Sequence, residues 1–196
     1  MRPFALILFL GTTLPAQIPT AYTPLTSSQR WEHYWHSTFL YPGLYFAAFG
    51  AAGGTQLVKD PPEWGQGLPG YGKRAGTFFA SYAIQYTVQE AADAALGYDP
   101  RYIHCECKGG VRRVAHAFVW SFLTKNDQGH TRFNAPVLAG AYAGEIVPYL
   151  WYPSRFSPLK DGFRGGSQEV GITVGINIIR EFGPELKRFF RVTPSP

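Results

Sequence analysis

Five pairs of glycines in this 196-residue chain are spaced four apart: Gly50/Gly54, Gly72/Gly76, Gly140/Gly144, Gly162/Gly166 and Gly171/Gly175. Chance spacing of 22 glycines gives about 2.4 such pairs, so the excess is modest but real. Four of the pairs fall in stretches that read as helix. Residues four apart share a helix face, and a glycine pair there lets another backbone come close. Each interior glycine costs about 0.5–1 kcal/mol against alanine. Close helix packing is the compensation this spacing predicts. The expectation is an all-α fold, a bundle of about six helices packed through Gly/Ala-rich faces. Its packing residues are Gly50, Gly54, Gly72, Gly76, Gly140, Gly144, Gly171 and Gly175.

Breakers and caps place those helices. Thr26-Ser27-Ser28 caps a first helix from about Ser28 to Phe39. Pro42 opens a second, ending near Lys59 before Pro61-Pro62, and 61–70 reads as a loop. The third and longest runs from Tyr71 to Leu96, with Gly97 as its C-terminal cap. It carries a ridge of small residues (Gly72, Gly76, Ala80, Ala83), an aromatic row (Phe78, Tyr82, Tyr86) and a polar row (Gln85, Gln89, Asp93). A fourth helix, Val111 to Thr124, has an amphipathic pattern in Val111, Val114, Phe118 and Phe122. Asn126 to Gly129 is a turn. The fifth helix runs from Asn134 to Trp151, with Pro148 kinking it or marking its last turn. A polar Pro/Gly loop reaches Gly162, and the sixth helix follows from Ser167 to Phe182. Its segment Val170 to Ile179 also admits a strand reading.

The N-terminus reads as a signal peptide over residues 1–16. Arg2 precedes an apolar run, Phe4 to Leu10, and Leu14-Pro15-Ala16 offers a cleavage site. Residues 17–196 then form a single domain. The chain has 18 Lys and Arg against 13 Asp and Glu; without Arg2 the net charge is +4. That charge is too small and scattered for a nucleic-acid footprint. Charged residues are 16%, against roughly 25% in an average soluble domain, which fits much buried or membrane-facing surface. Residues 37–58 hold no charge, and their middle, Leu44 to Gly54, is flanked by Tyr34, Trp35, Tyr41 and Tyr45 on one side and by Lys59-Asp60 on the other. This stretch reads as a buried core helix, an interfacial one or a short span.

Several residues bear on chemistry. Glu32, His33 and His36 share helix faces at metal-ligand spacing, without an HExxH pattern. His104, Cys105 and Cys107 are soft ligands for zinc or copper, but no second Cys/His pair completes a set. In an exported chain the two cysteines can form a local or intermolecular disulfide, although a bridge across one intervening residue is geometrically awkward, and otherwise they stay as free or structural thiols. Glu145, a lone acid in an apolar helix, needs a partner if buried. Arg74, Arg112, Arg113 and Arg180 are the structural choices. Glu145 with His116, or Glu90 with Asp93, would serve as an acid/base pair. The glycine-rich approach to Lys73 and Arg74 lacks the Walker pattern, and no cofactor motif occurs.

Gly70-Tyr71-Gly72-Lys73-Arg74, then Asp99-Pro100-Arg101-Tyr102, then Tyr152-Pro153 follow one another as in a set of uncharacterised exported bacterial proteins. The chain resembles that family over about residues 40–190. The resemblance implies export and helical character, and no mechanism. The sequence therefore predicts an exported cell-envelope helical protein, structural or interacting with a membrane surface or an envelope protein partner. One alternative is an envelope enzyme acting on lipid or glycan through a Glu/His pocket; a second is a metal-binding module at His104, Cys105 and Cys107.

Overall fold

The computed structural model describes residues 22–189, so the signal-peptide segment lies outside the described residues. About 70% of the chain is helical. The helices are α1 (Ser27–Trp35), α2 (Pro42–Leu57), α3 (Gly67–Leu96), α4 (Gly110–Trp120), α5 (Ala135–Ile146), α6 (Lys160–Glu181) and the short α7 (Gly183–Phe189). An antiparallel hairpin, β1 (Leu123–Lys125) and β2 (Thr131–Phe133), flanks the turn at Asn126 to Gly129. The fold is the all-α bundle the glycine spacing predicts.

Local chemistry sets most ends. Thr26 and Gln29 form a capping box at the start of α1, a feature worth about 1 kcal/mol. A π-helical turn at His36–Leu40 then leads to Tyr41, and Pro42 opens α2 at its first position. Gly97 closes α3 in the left-handed conformation at φ 64°, which a side chain would strain. Pro148 ends α5 in a 3-10 turn, Val147–Leu150. Helix α3 begins at Gly67, four residues early and inside the stretch read as a loop, which also holds a 3-10 turn at Pro62–Trp64; the starts and ends of α4 and α6 differ too. Helix α4 stops at Trp120, because 123–125 pair with 131–133 across the turn. Helix α6 begins at Lys160, seven residues early, because Gly162 and Gly166 pack against α5. The segment Val170 to Ile179 is helical.

The main contacts run in the order α2, α3, α5, α6, α4, so each inner helix has two principal neighbours. Helix α5 lies at the centre, and bare backbone makes room on both of its sides. A Cβ at Gly140 would lie 2.6 Å from the Gln85 carbonyl oxygen, and one at Gly144 2.8 Å from that of Ser81. On the other side, a Cβ at Gly162 would meet Ile146 Cα at 2.8 Å, and Gly166 faces the Tyr142 ring. Real Cβ atoms do not approach so closely, so these four glycines set the helix separations.

The other pairs correct the expectation. A Cβ at Gly50, Gly54, Gly72, Gly76, Gly171 or Gly175 would meet no atom within 4 Å. On α3 the packed face is the polar row: Gln85 and Asp93 are buried, and Gln85 and Gln89 lie under Gly140 and Gly144. The reason is geometric. The glycines of α5 admit the backbone of residues 81–89, leaving the small ridge of α3 outside.

The buried apolar set is correspondingly slight: Leu44, Ala48, Ala52, Ala75, Ala117, Val137 and Ala141. Large apolar side chains point out instead. Helix α2 buries the strip Leu44, Ala48 and Ala52 on α3 and exposes Phe46, at 79%, with Phe49 and Leu57. Helix α6 exposes Phe163, Ile172, Ile176 and Ile179. Helix α4 turns its apolar face outward: Val111 is 86% exposed, and Val114, Phe118 and Val119 share that exposure. Among the described residues, no helix is long and apolar enough to cross a membrane.

Candidate functional site

The densest polar cluster forms where α4, α6 and the segment 101–108 meet. Glu181, the last residue of α6, is 2% exposed. Its Oε1 accepts from the Tyr102 hydroxyl at 2.7 Å, the Cys105 backbone N–H at 2.9 Å and His116 Nδ1 at 3.1 Å. Arg113, one turn before His116 on α4, reaches within 3.9 Å of Glu181 and pairs with Glu185 at 2.6 Å. Its guanidinium also covers the Phe182 ring. Burial alone would raise the Glu181 carboxyl; the bonds from Tyr102 and Cys105, with the nearby His116 and His104, hold it below the ordinary value. One turn earlier on α6, Asn177 donates to the Ser121 hydroxyl at 3.0 Å. The imidazole of His116 stacks on Trp120, and Tyr102 packs edge-on to both His104 and His116. A buried carboxylate thus orients an imidazole and a phenol beside the cysteine segment.

Cys105 and Cys107 form a disulfide. That removes both thiolates from the proposed metal set of His104, Cys105 and Cys107. Among the described residues, no group of three or more His, Cys, Asp or Glu is placed to hold a metal ion. His33 is instead bonded to Glu90, Nδ1 to Oε1, at 2.9 Å.

The three candidate catalytic residues occupy three different places. His116 engages Glu181, and Glu90 engages His33. Glu145 lies within α5 beside Glu169 of α6, against Gly165, and no arginine pairs with it among the described residues. Burial, then the charge of Glu169, raises the Glu145 carboxyl; burial raises Glu169, against a hydrogen bond from Gln85. The cavity at Glu145, lined also by Ser81, Pro148 and Tyr149, holds about 40 Å³, room for a water or two and no substrate.

Asp93 is the most costly acid. It is 1% exposed, neither carboxyl oxygen has a hydrogen-bond partner, and burial followed by the charge of Glu90 raises its pKa to about 8.

The two sequence motifs have structural duties. Arg74 is buried, and its guanidinium donates to the carbonyl oxygens of Asp60, Pro61, Gly65 and Gly70 and to Gln56 Oε1. It gathers residues 60–65 and the first turn of α3 around one side chain. Gly72, Gly76 and Ala80 floor an open groove of about 380 Å³ walled by Trp64 and Trp151 and edged by Lys73. Asp99 accepts from Tyr22 at 2.7 Å and from the Arg101 side chain and backbone. The Asp99 backbone pairs with Lys125 and Thr124, and Tyr102 reaches Glu181, so this turn ties the end of α3 to the hairpin and to α6.

Sequence reasoning missed Glu181 as the partner of His116, 65 residues away. The only local signal was Asn177 and Glu181, four apart on α6. Against this geometry, comparison with protein-family models, with curated proteins and with solved structures finds no match.

Proposed function

We propose that this chain is an exported cell-envelope protein that works by association, laying exposed apolar helix faces on the membrane surface. One observation carries the reading: α4 points Val111, Val114, Phe118 and Val119 outward and keeps Arg113, His116 and Ala117 toward α6. An amphipathic helix in a lone globular domain turns the other way. Helices α2 and α6 repeat the pattern with Phe46, Phe49, Leu57, Ile172 and Ile179. Apolar faces of this extent mark interaction surfaces. The uncharged stretch 37–58, the exposed aromatics Trp31, Trp35 and Tyr41, and a net positive charge suit an anionic bilayer surface. Two cysteines joined as a disulfide fit an oxidising compartment, which supports export.

Co-sedimentation with vesicles containing anionic lipid tests the reading. The full chain is expected in the pellet, largely retained after a high-salt wash, and Phe46→Ser with Phe118→Ser is expected to release it by about tenfold. A wild-type chain that stays in the supernatant as a defined oligomer, with the same faces covered, would point to a protein partner and reject the bilayer.

A further inference from the structure

We infer that the Cys105–Cys107 disulfide is a thiol–disulfide exchange site, reacting with a dithiol, and not a structural cross-link. A cross-link stabilises by constraining the unfolded chain, and the effect grows with loop length. This bridge spans a sequence separation of 2 and ties together no two elements of the fold. Both cysteines are half-buried on an irregular segment, so the bond is reachable, and they are held in place. Glu181 fixes the Cys105 N–H at 2.9 Å, and the Cys107 N–H donates to Cys105 Sγ at 3.2 Å.

The leaving sulfur already has a donor, because the Cys107 N–H lies against Cys105 Sγ. His104, Glu106 and Lys108 adjoin the pair in sequence, and Arg113 and His116 stand on α4 against Glu181. In the first step, a thiolate of the dithiol attacks Cys107 Sγ. The mixed disulfide forms as the Cys105–Cys107 bond breaks, and the electron pair leaves on Cys105 Sγ, where the Cys107 N–H meets it. The second thiol of the dithiol, deprotonated, then attacks its partner sulfur and releases Cys107. The dithiol leaves oxidised by two electrons, and its two protons end on Cys105 and Cys107.

Dithiothreitol is a suitable probe. The rate of opening is followed by alkylation and mass shift in the full chain and in an oxidised peptide of residues 102–110. At neutral pH the chain is expected to react about tenfold faster than the peptide. In parallel, Cys105→Ser/Cys107→Ser is expected to keep the wild-type urea midpoint. A rate no greater than the peptide's overturns the inference, as does a double variant that fails to fold or loses its midpoint.

Discussion

Replacing Asp93 with asparagine should stabilise this protein, and the gain should depend on pH. Asp93 is 1% exposed, with both carboxyl oxygens unpartnered. Burial, reinforced by Glu90, raises its pKa from 3.8 to about 8. The unfolded chain releases this proton near its ordinary value, whereas the folded chain holds it until about pH 8. Between those limits the folded state binds more protons, so stability falls as pH rises, by about 1.4 kcal/mol per unit. The full shift corresponds to a ceiling of about 6 kcal/mol above pH 8. At pH 7 the ceiling is about 4 kcal/mol, and relaxation in an effective dielectric near 20 brings the expected gain to about 2–4 kcal/mol. Asparagine keeps the shape and has no proton to lose. Urea unfolding followed by tryptophan fluorescence, at about pH 5 and about pH 8.5, measures the difference. The advantage of Asp93→Asn should be small at the acid end and largest at the alkaline end. An advantage that does not change with pH, or a loss at every pH, would refute the idea that Asp93 is buried neutral.

Two further substitutions probe the polar interior. Arg74→Lys leaves most of the carbonyls of Asp60, Pro61, Gly65 and Gly70 without a donor, because an ammonium cannot match a guanidinium fork; the urea midpoint should fall by an equivalent of about 2–4 kcal/mol. Glu145→Gln removes one of two facing carboxylates that are both raised by burial. Wild type loses stability as pH rises from the ordinary carboxyl range through the folded values, so the glutamine variant should be the more stable near neutrality, by about 1 kcal/mol in the same assay.

Much of the architecture was legible in the residues. Thr26 and Gly97 cap the helices that their chemistry predicts, Pro42 and Pro148 fall at helix boundaries, and Gly140/Gly144 form a close helix contact. Orientation was not legible. Gln85, Gln89 and Asp93 read as a polar row, yet Gln85 and Asp93 are buried and Gln85 and Gln89 meet α5, because the glycines of α5 select which side of α3 comes near. The start of α6, rich in charge and glycine, reads as a loop; it is helical because Gly162 and Gly166 fit over Ile146 and Tyr142, and tertiary packing overrides propensity. Helix α4 turns His116 and Arg113 toward Glu181, and its apolar face lies on the opposite side. No local pattern encodes a pair so distant in sequence.

The account turns on which glycines admit a neighbouring helix, and one comparison of unfolding free energies addresses it. Gly140→Ala places a methyl 2.6 Å from the Gln85 carbonyl oxygen and should cost about 1–3 kcal/mol, the usual effect of overpacking. Gly171→Ala, made where no atom lies within 4 Å, should instead add about 0.5–1 kcal/mol through helix propensity. Opposite signs are the predicted result; equal losses at both positions, or a gain at Gly140, would contradict the arrangement of α3, α5 and α6 described above.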